Sequence, residues 1–370
     1  MNSLSDLTIF IPTFNRPEEL ERAIKYWRQT QVTVHILDGS DLALSKSEIF
    51  FSSSNIHYHH YPRLPDESQN QNYVRRMRLT ALLAKSRFSA IIGDDDLFLV
   101  SGLEEALRLF DQNDKIDAVV GEVLWFKKQG AMIHWKLSYA SWKGSKLASD
   151  DSAIVRIRQE NPYNFYGILR TSVFVERSAL AFQISFRDQY QTECLWMLLG
   201  RVLCRTAVID NALWLRQGSL TRHWGESSGF LDSGEMVDGR SVGFIFGQQI
   251  GRAFYFRELM FSERFDVDLI EDYLENFFVK YQKPKLVNRL YKLTQIRIVK
   301  KLAKLTSDQR RILNLFLGSL RCKELKVLNE REKLNVGYHS LNEISVFFTK
   351  NSIGFDQEEF DWIEKFISEN

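Results

Sequence analysis

The amino-acid sequence predicts an α/β protein with a mostly parallel, Rossmann-like sheet flanked by helices. Short apolar runs alternate with amphipathic helical patterns through the N-terminal third of the chain, as in doubly wound sheets with right-handed crossovers. Three of these runs end in polar segments, at Thr13–Arg16, Asp38 and Asp94–Asp96. Because ligands bind outside the carboxyl ends of parallel strands, we expect these segments to form one site.

Apolar runs and helix-start signals define the first elements. Leu7–Ile11 is a predicted strand that ends at Pro12. A helix is predicted to begin at Pro17, because proline and the acidic residues after it favour a first helical turn. Further strands are predicted at Val32–Leu37 and Ile56–Tyr61, from their apolar and β-branched character.

A helix over about Asn72–Lys85 leads into a strand, Phe88–Ile92, that stops at three consecutive aspartates. Burying such like charges without partners would cost several kcal/mol each. A cation is therefore expected beside them, and hard carboxylate oxygens suit Mg²⁺ or Mn²⁺. The alternative is a solvated loop that caps the next helix. It is disfavoured because Ser101–Glu104 already has the pattern of a capping box before the helix Leu103–Leu109.

Composition restricts the class of protein further. A chain of 370 residues can hold one large domain and a smaller one. The formal net charge of +2 implies no general attraction to nucleic acid. The scattered cysteines Cys194, Cys204 and Cys322 fit a reducing compartment. The sequence shows no secretory signal and no uncharged apolar run of ~18 residues, so we expect a cytoplasmic protein, at most peripheral on the inner face of a membrane.

The rest of the chain divides into two parts. A strand is predicted at Asp117–Phe126 and a helix at Glu193–Leu203, and the Gly- and Ser-rich segment Ser227–Gly243 is typical of a hinge or lid. We predict an α/β domain over residues 1–228 and a C-terminal α-helical domain over residues 244–370. The helices predicted in the second domain are Phe244–Phe261, Leu269–Tyr281, Leu286–Leu305, Ser307–Leu320 and Phe360–Ile367.

The ordered set of motifs resembles a known family. Ile9–Pro17, Leu37–Ser40 and Ile92–Asp96 look like the family 2 glycosyltransferases of the GT-A fold, in the same order and spacing. The resemblance covers roughly residues 5–225. It implies transfer of a sugar from a nucleotide-diphosphate donor to a glycan or lipid-linked glycan acceptor. It also implies inversion, a Mn²⁺ or Mg²⁺ cofactor and a role in surface polysaccharide biosynthesis.

By this resemblance, residues at all three polar segments contact the donor nucleotide. The acid–any–acid–acid motif of the family would place its first acid at Gly93, so Asp94 and Asp96 are the candidate metal ligands here, with His223 from a later basic loop. Asp38 would hydrogen-bond the base. The predicted nucleotide-sugar-binding residues are Pro12, Thr13, Asn15, Arg16, Asp38, Asp94 and Asp95.

The helix before the aspartates begins with a run of arginines. Arg75 and Arg78 share one helical face, and either could clamp a diphosphate. The alternative is an ordinary solvated helix face, since charge runs usually lie at the surface.

The catalytic base is expected near the helix Glu193–Leu203. The family opens this helix with an acidic pair, of which only Glu193 is present because Cys194 occupies the second position. Glu193 as a first-turn residue would be favoured in its ionised form by the helix dipole. Asp188, on the preceding loop, is the other candidate, and Glu193 as a plain first-turn residue is the structural alternative.

Two further segments, a histidine-rich strand and a basic helical stretch, each allow a functional and a structural interpretation. His57, His59 and His60 suggest a metal site, since His57 and His59 point to one strand face, but no third ligand has a helpful spacing, so partly exposed strand residues are favoured. The segment Lys280–Arg311 carries one acid among many basic residues, with leucines at helical spacing. It suits either a helix with a solvated basic side or one that lies on an anionic membrane.

Overall fold

The computed structural model describes residues 3–44, 53–130, 132–137, 156, 165–218, 235–261, 334 and 338–370. Within this part nine strands form one sheet. The strands are β1 Leu7–Thr13, β2 Thr33–Asp38, β3 Ile56–His60, β4 Phe88–Ile91, β5 Leu97–Phe98, β6 Ala118–Gln129, β7 Met132–Leu137, β8 Ile168–Arg170, β9 Thr206–Gln217, β10 Met236–Val237 and β11 Arg240–Ser241. The last two strands, β10 and β11, form a separate two-stranded hairpin.

The sheet order is β3-β2-β1-β4-β8-β6-β9-β5, with β7 paired to β6. β1 runs parallel to β2 and β4, and β2 runs parallel to β3. β8 is antiparallel to both β4 and β6, so β6 again has the direction of β4, and β9 is parallel to β6. Six strands therefore share one direction, which confirms the predicted α/β class with a mostly parallel sheet.

Helices cover both faces of the sheet. Alternate residues of β1 divide between two buried clusters, Ile9 and Ile11 in the first and Phe10 in the second, as the two-residue period of a strand requires. Helices α1, α4, α8 and α9 pack in the first cluster, and α2, α5, α6 and α7 in the second. The helices are α1 Pro17–Trp27, α2 Gln69–Met77, α3 Thr80–Leu83, α4 Val100–Gln112, α5 Thr171–Ala181, α6 Gln189–Leu203, α7 Val242–Phe261, α8 Leu341–Lys350 and α9 Gln357–Glu369.

The predicted capping box before α4 is wrong. The helix already begins at Val100, so Ser101 lies inside its first turn. The carboxylate of Glu359, on α9, accepts hydrogen bonds from the amides of Val100 (2.5 Å) and Ser101 (3.2 Å). The helix is thus capped by a residue distant in sequence, which no local pattern could reveal.

The predicted helix Asn72–Lys85 is two shorter helices. α2 starts earlier, because Ser68 serves as N-cap by accepting a hydrogen bond from the amide of Gln71 (3.2 Å). It ends at Met77, and α3 follows at Thr80.

The C-terminal part of the chain contacts the sheet directly. The indole of Trp135 on β7 donates to Glu364 of α9 (3.0 Å), and α7 packs in the second buried cluster. Residues 262–333 lie outside the described part, including three of the predicted helices, so the division into two domains stays a prediction. Within the described residues, no helix combines the length and apolar character needed to cross a bilayer.

Candidate functional site

The order in which the strands are added to the sheet changes direction between β1 and β4. From β1 the chain continues to β2 and β3 on one side, whereas the strands after β4 lie on the other side. The loops that follow β1 and β4 therefore diverge and leave a crevice, the preferred ligand position in open α/β sheets. Thr13–Arg16 and Gly93–Asp96 occupy this position.

Asp94 is held in the crevice by the β1 loop. It is 4% exposed, and its carboxylate accepts hydrogen bonds from the Thr13 hydroxyl (2.7 Å) and from Nη1 of Arg16 (2.5 Å). Burial raises the pKa of Asp94 to about 7, although Arg16 and Thr13 oppose this rise. The structure thus brings together three residues that the sequence predicted for the nucleotide site.

Asp95 shares the same guanidinium. Nη2 of Arg16 lies 3.0 Å from Asp95 and 3.3 Å from Glu19, so three carboxylates contact one cation. Arg22, itself buried, donates to the backbone carbonyl of Asp95 (3.3 Å). Of the three consecutive aspartates, Asp94 and Asp95 are consequently the two whose carboxylates contact Arg16.

Asp96 binds other partners. Its carboxylate accepts hydrogen bonds from the indole of Trp214 (3.1 Å) and the amide of Gln217 (3.0 Å), both on β9. Burial raises its pKa well above the ordinary value, Asp95 adds to the rise and Arg216 opposes it. The predicted metal pair Asp94 and Asp96 therefore faces two different sets of donors.

The carboxylates present could hold a hard divalent cation if a bound phosphate compound and water completed its coordination shell. Carboxylate oxygens are the right donors, and the Arg16 guanidinium marks a position where a cation is stabilised by Asp94 and Asp95. No group of three or more His, Cys, Asp or Glu side chains that could hold a metal occurs among the described residues. Mg²⁺ commonly uses one or two carboxylates and completes its shell with phosphates and water. His223 lies outside the described residues.

Asp38 is buried and fixes the β2 loop. Its oxygens accept hydrogen bonds from the amide of Ser40 (2.8 Å) and the hydroxyl of Tyr58 (2.5 Å). Asn15 lies in the left-handed region at φ 52°, and its backbone N–H donates a hydrogen bond to the Ser40 hydroxyl (2.7 Å). The β1 and β2 loops are thereby tied together, with Pro12 of β1 in register with β2.

The predicted phosphate arginines have other partners. Arg75 forms an ion pair with Glu67 (2.8 Å), and Arg78 donates to the carbonyls of Phe182 (2.7 Å) and Gln183 (2.6 Å). Neither makes a contact with the three aspartates in the described structure.

Arg76, which the sequence reasoning left out of the site, lies beneath the crevice. It is 2% exposed and donates to the carbonyls of Thr13 (3.0 Å) and Leu37, while its Nε donates to Asn72. Burial lowers its pKa to about 10. Arg76 joins the carboxyl ends of β1 and β2, and its helical spacing from the buried Tyr73 was the available sequence signal.

The candidate base is not at the helix start that was expected. α6 begins at Gln189, and Asp188 is its N-cap, accepting from the amide of Tyr190 (2.8 Å). Glu193 lies one turn further and is 8% exposed. The expected dipole stabilisation of its ionised form is therefore wrong. Burial raises the pKa of Glu193 well above the ordinary value, opposed by Arg216, and the neighbouring Cys194 is fully buried.

Arg216 is a second residue that the sequence reasoning did not select. Its guanidinium lies over the rings of Trp125 (4.5 Å) and Trp214 (5.4 Å), an arrangement typical of cation–π contacts. Its charge lowers the pKa of both Asp96 and Glu193. Arg216 thus links the aspartate cluster to the candidate base. Its place beside Trp214 in a basic stretch was the only sequence signal.

The described surface also has two open cavities of about 530 Å³ and 300 Å³. Both lie between Gln29 and Thr30, after α1, and Val100 and Glu104 of α4. Neither contains a residue of the aspartate cluster. We place the candidate site at the aspartates, because buried carboxylates with raised pKa values and specific charge partners cluster at functional sites.

No protein-family model and no curated protein matches the chain. Crystal structures of S. aureus TarS are similar at 13% identity over 73% of this chain and 42% of TarS, with a TM-score of 0.47. The chain thus spans less than half of that protein. TarS 1-349 in complex with UDP is similar at 13% identity over 73% of this chain and 70% of that one, with a TM-score of 0.46. Likeness at this level identifies neither the fold nor an activity.

Proposed function

We propose that the chain is a glycosyltransferase on a GT-A-like fold that takes its sugar from a nucleotide-diphosphate donor. One observation carries the proposal. At the switch point of the sheet, the carboxylates of Asp94 and Asp95 both contact the guanidinium of Arg16. They lie beside the loop Thr13–Arg16, which follows β1. A diphosphate donor needs a cation to offset its negative charge, and carboxylates at this position can hold that cation.

The donor would bind across the β1 and β2 loops. Asn15, Ser40 and the buried Asp38 give these loops a fixed geometry, which limits the entropy lost on binding. Asp94, Asp95 and, after rearrangement, Asp96 would hold Mn²⁺ or Mg²⁺, with His223 as a further predicted ligand. Such an ion offsets the charge that develops on the leaving diphosphate.

The acceptor hydroxyl must lose a proton as it attacks the anomeric carbon, and inversion follows from a single displacement. Glu193 is the proposed base and would receive this proton on its carboxylate. Arg216 lowers the pKa of that carboxylate, so it helps to keep Glu193 ionised at the pH of the reaction. The acceptor class, a surface glycan or a lipid-linked glycan, rests on the family resemblance.

Two other functions remain as alternatives. A sugar nucleotidyltransferase would need a glycine-rich, lysine-bearing phosphate loop after the first strand, and Pro12–Pro17 contains neither residue. A non-catalytic carbohydrate-binding or scaffold protein on the same fold is disfavoured by the acids at Asp94–Asp96 and favoured by Cys194, which stands where the second acid of a pair was expected. Hydrolysis of the donor would separate this alternative from an enzyme.

A panel of nucleotide sugars, tested by thermal unfolding with and without Mn²⁺, examines the proposal. A ligand at 100 times its dissociation constant stabilises the folded state by about 2.7 kcal/mol, and we expect such a shift only when metal is present. EDTA should abolish turnover, and so should Asp96→Ala. Activity that persists unchanged in saturating chelator would exclude the metal role, and a panel without any stabilising donor would refute the proposed function.

A further inference from the structure

Arg16 occupies the place between the aspartates. Its guanidinium contacts Asp94 at 2.5 Å, Asp95 at 3.0 Å and Glu19 at 3.3 Å. The first two contacts use different nitrogens of the fork, so one planar cation spans both carboxylates. The side chain of Arg16 is 20% exposed, compared with 5% for Asp94 and 22% for Asp95.

A divalent ion cannot share this place with Arg16. Both cations would compete for the same two carboxylates, and two positive charges a few ångströms apart repel each other strongly at a partly buried site. Metal binding to Asp94 and Asp95 therefore requires Arg16 to withdraw. In the protein without ligand, the guanidinium already supplies the neutralisation that a metal would provide.

The surroundings of Arg16 allow it to withdraw. The residue lies on the loop between β1 and α1, and its side chain does not cap the helix that follows. Its Nε is buried without a hydrogen-bond partner, so the ion pairs are the contacts that hold the fork. A diphosphate offers a competing bidentate acceptor for such a fork.

We propose that Arg16 is the resident counter-ion of the Asp94–Asp95 site and excludes divalent metal until a nucleoside diphosphate draws it away. Metal and diphosphate then bind together, with Arg16 transferred from the carboxylates to the phosphates. The diphosphate part of this inference rests on the proposed function. The exclusion of metal by Arg16 does not depend on it.

Manganese binding to the nucleotide-free protein tests the exclusion. Free Mn²⁺ is measured by electron paramagnetic resonance during titration of the full chain, Arg16→Gln and the control Arg108→Gln. Arg108 pairs with Glu105 on an exposed helix face and with no other acid among the described residues. We expect Arg16→Gln to bind Mn²⁺ roughly tenfold more tightly than the parent, and Arg108→Gln to match the parent.

Three further variants identify the site. Arg16→Met should repeat the gain, which keeps the test open if Arg16→Gln folds poorly, and Arg16→Lys should exclude metal as the parent does. Asp95→Asn introduced into Arg16→Gln should remove the gain. Equal Mn²⁺ affinity of the parent and both neutral variants would overturn the inference, as would a gain that survives Asp95→Asn.

Addition of UDP separates the two proposals. In the parent, UDP should tighten Mn²⁺ binding, and in Arg16→Gln this coupling should be smaller. If no nucleotide binds but Arg16→Gln gains metal, the exclusion of metal by Arg16 stands, whereas the proposed function and the diphosphate part of the inference fail. If UDP and metal bind the parent together but the arginine variants leave metal affinity unchanged, the proposed function stands and the inference fails.

Discussion

The surroundings of Glu193 change the chemistry of its carboxyl group, because burial raises its pKa. The residue is nearly fully buried on α6, and Arg216 opposes this rise in pKa. A carboxylate in this state is poised to accept a proton once it is ionised, which suits a general base. Asp188, by contrast, already uses a carboxylate oxygen as the N-cap of α6.

We therefore predict that Glu193→Gln lowers turnover by about 10²–10⁴-fold, because it removes a general base. Donor affinity should stay near the parent value, since the amide preserves size and hydrogen bonding. The matched control is Asp188→Asn, because asparagine is as good an N-cap as aspartate. Near-parental turnover in Glu193→Gln, with the loss in Asp188→Asn instead, would assign the base to Asp188.

The same residue predicts the pH dependence of the reaction. The ionised fraction of Glu193 increases with pH, and its raised pKa displaces this increase to higher pH than for an ordinary glutamate. Turnover should therefore rise with pH on the acid side of the profile. The corresponding limb should be absent from the residual activity of Glu193→Gln, as measured by initial rates at saturating donor.

At the scale of elements, α4 depends on a cap from α9. Glu359 accepts hydrogen bonds from the amides of Val100 and Ser101, and from the Ser101 hydroxyl. These amides have no partner within the helix, and a negative charge near them is favoured by the helix dipole. One side chain thus joins the C-terminal helix to the helix that follows the aspartates.

Removal of this cap should destabilise the protein. Loss of an N-cap side chain costs about 0.5–2 kcal/mol, so Glu359→Ala should lower the free energy of unfolding by an amount in this range. Glu358→Ala, at the exposed neighbouring position of the same helix, serves as control. Equal chemical denaturation midpoints for the two variants would contradict the role of Glu359.

The β2–β3 pair carries a stack of histidines. His35 lies between Phe10 and His57, with ring centroids at 5.5 Å and 4.7 Å, and its Nδ1 is 2.9 Å from Nε2 of His59. The sequence pattern pointed only to the histidines of β3 and not to His35 on β2. Burial, together with His57 and His59, lowers the pKa of His35 to about 4.

This lowered pKa makes stability depend on pH. The unfolded chain binds a proton at His35 near pH 6.5, whereas the folded chain resists protonation until about pH 4. The stabilisation is therefore complete above pH 6.5 and is lost as the pH falls toward 4. His35→Phe keeps the ring but removes the titration, so its free energy of unfolding should decline less over this interval. His134→Phe should keep the parental slope, and equal slopes in all three proteins would reject the assignment.

At the scale of the whole molecule, the C-terminal helices belong to the packing of the sheet. α8 and α9 contribute Phe348, Phe360 and Ile363 to the same buried cluster as β1 and α1. Tyr26 of α1 also contacts the ring of Trp362 (5.7 Å). The chain therefore returns to its N-terminal half after the segment that lies outside the described residues.

That segment includes Lys280–Arg311, for which membrane binding remains a prediction. Each basic residue close to an anionic surface contributes about 1 kcal/mol, and salt screens this attraction. We expect the protein to co-sediment with vesicles that contain anionic lipid, and less so at high salt. Equal binding to neutral and anionic vesicles, or none to either, would refute the prediction.

Local sequence features were sufficient for the first four strands and for the approach of the polar segments that follow β1 and β4. β1, β2, β3 and β4 occur where the apolar runs predicted them, within one or two residues at each end. Parallel strands bring their carboxyl ends to one edge, so three polar segments in sequence imply one site in space. Thr13, Arg16 and Asp94 meet there as that argument requires.

Side-chain partners were decided only by the tertiary structure. The sequence placed three aspartates together, but packing against β9 turned Asp96 toward Trp214 and left Asp94 and Asp95 to share Arg16. Among the three arginines at the end of α2, Arg75, Arg76 and Arg78, burial selected Arg76 to join the strand ends. The start of α4 depended likewise on Glu359, which is distant in the chain. The periodicity of a segment reflects which side of it is buried, whereas the partner of a charged group depends on segments that are distant in the chain.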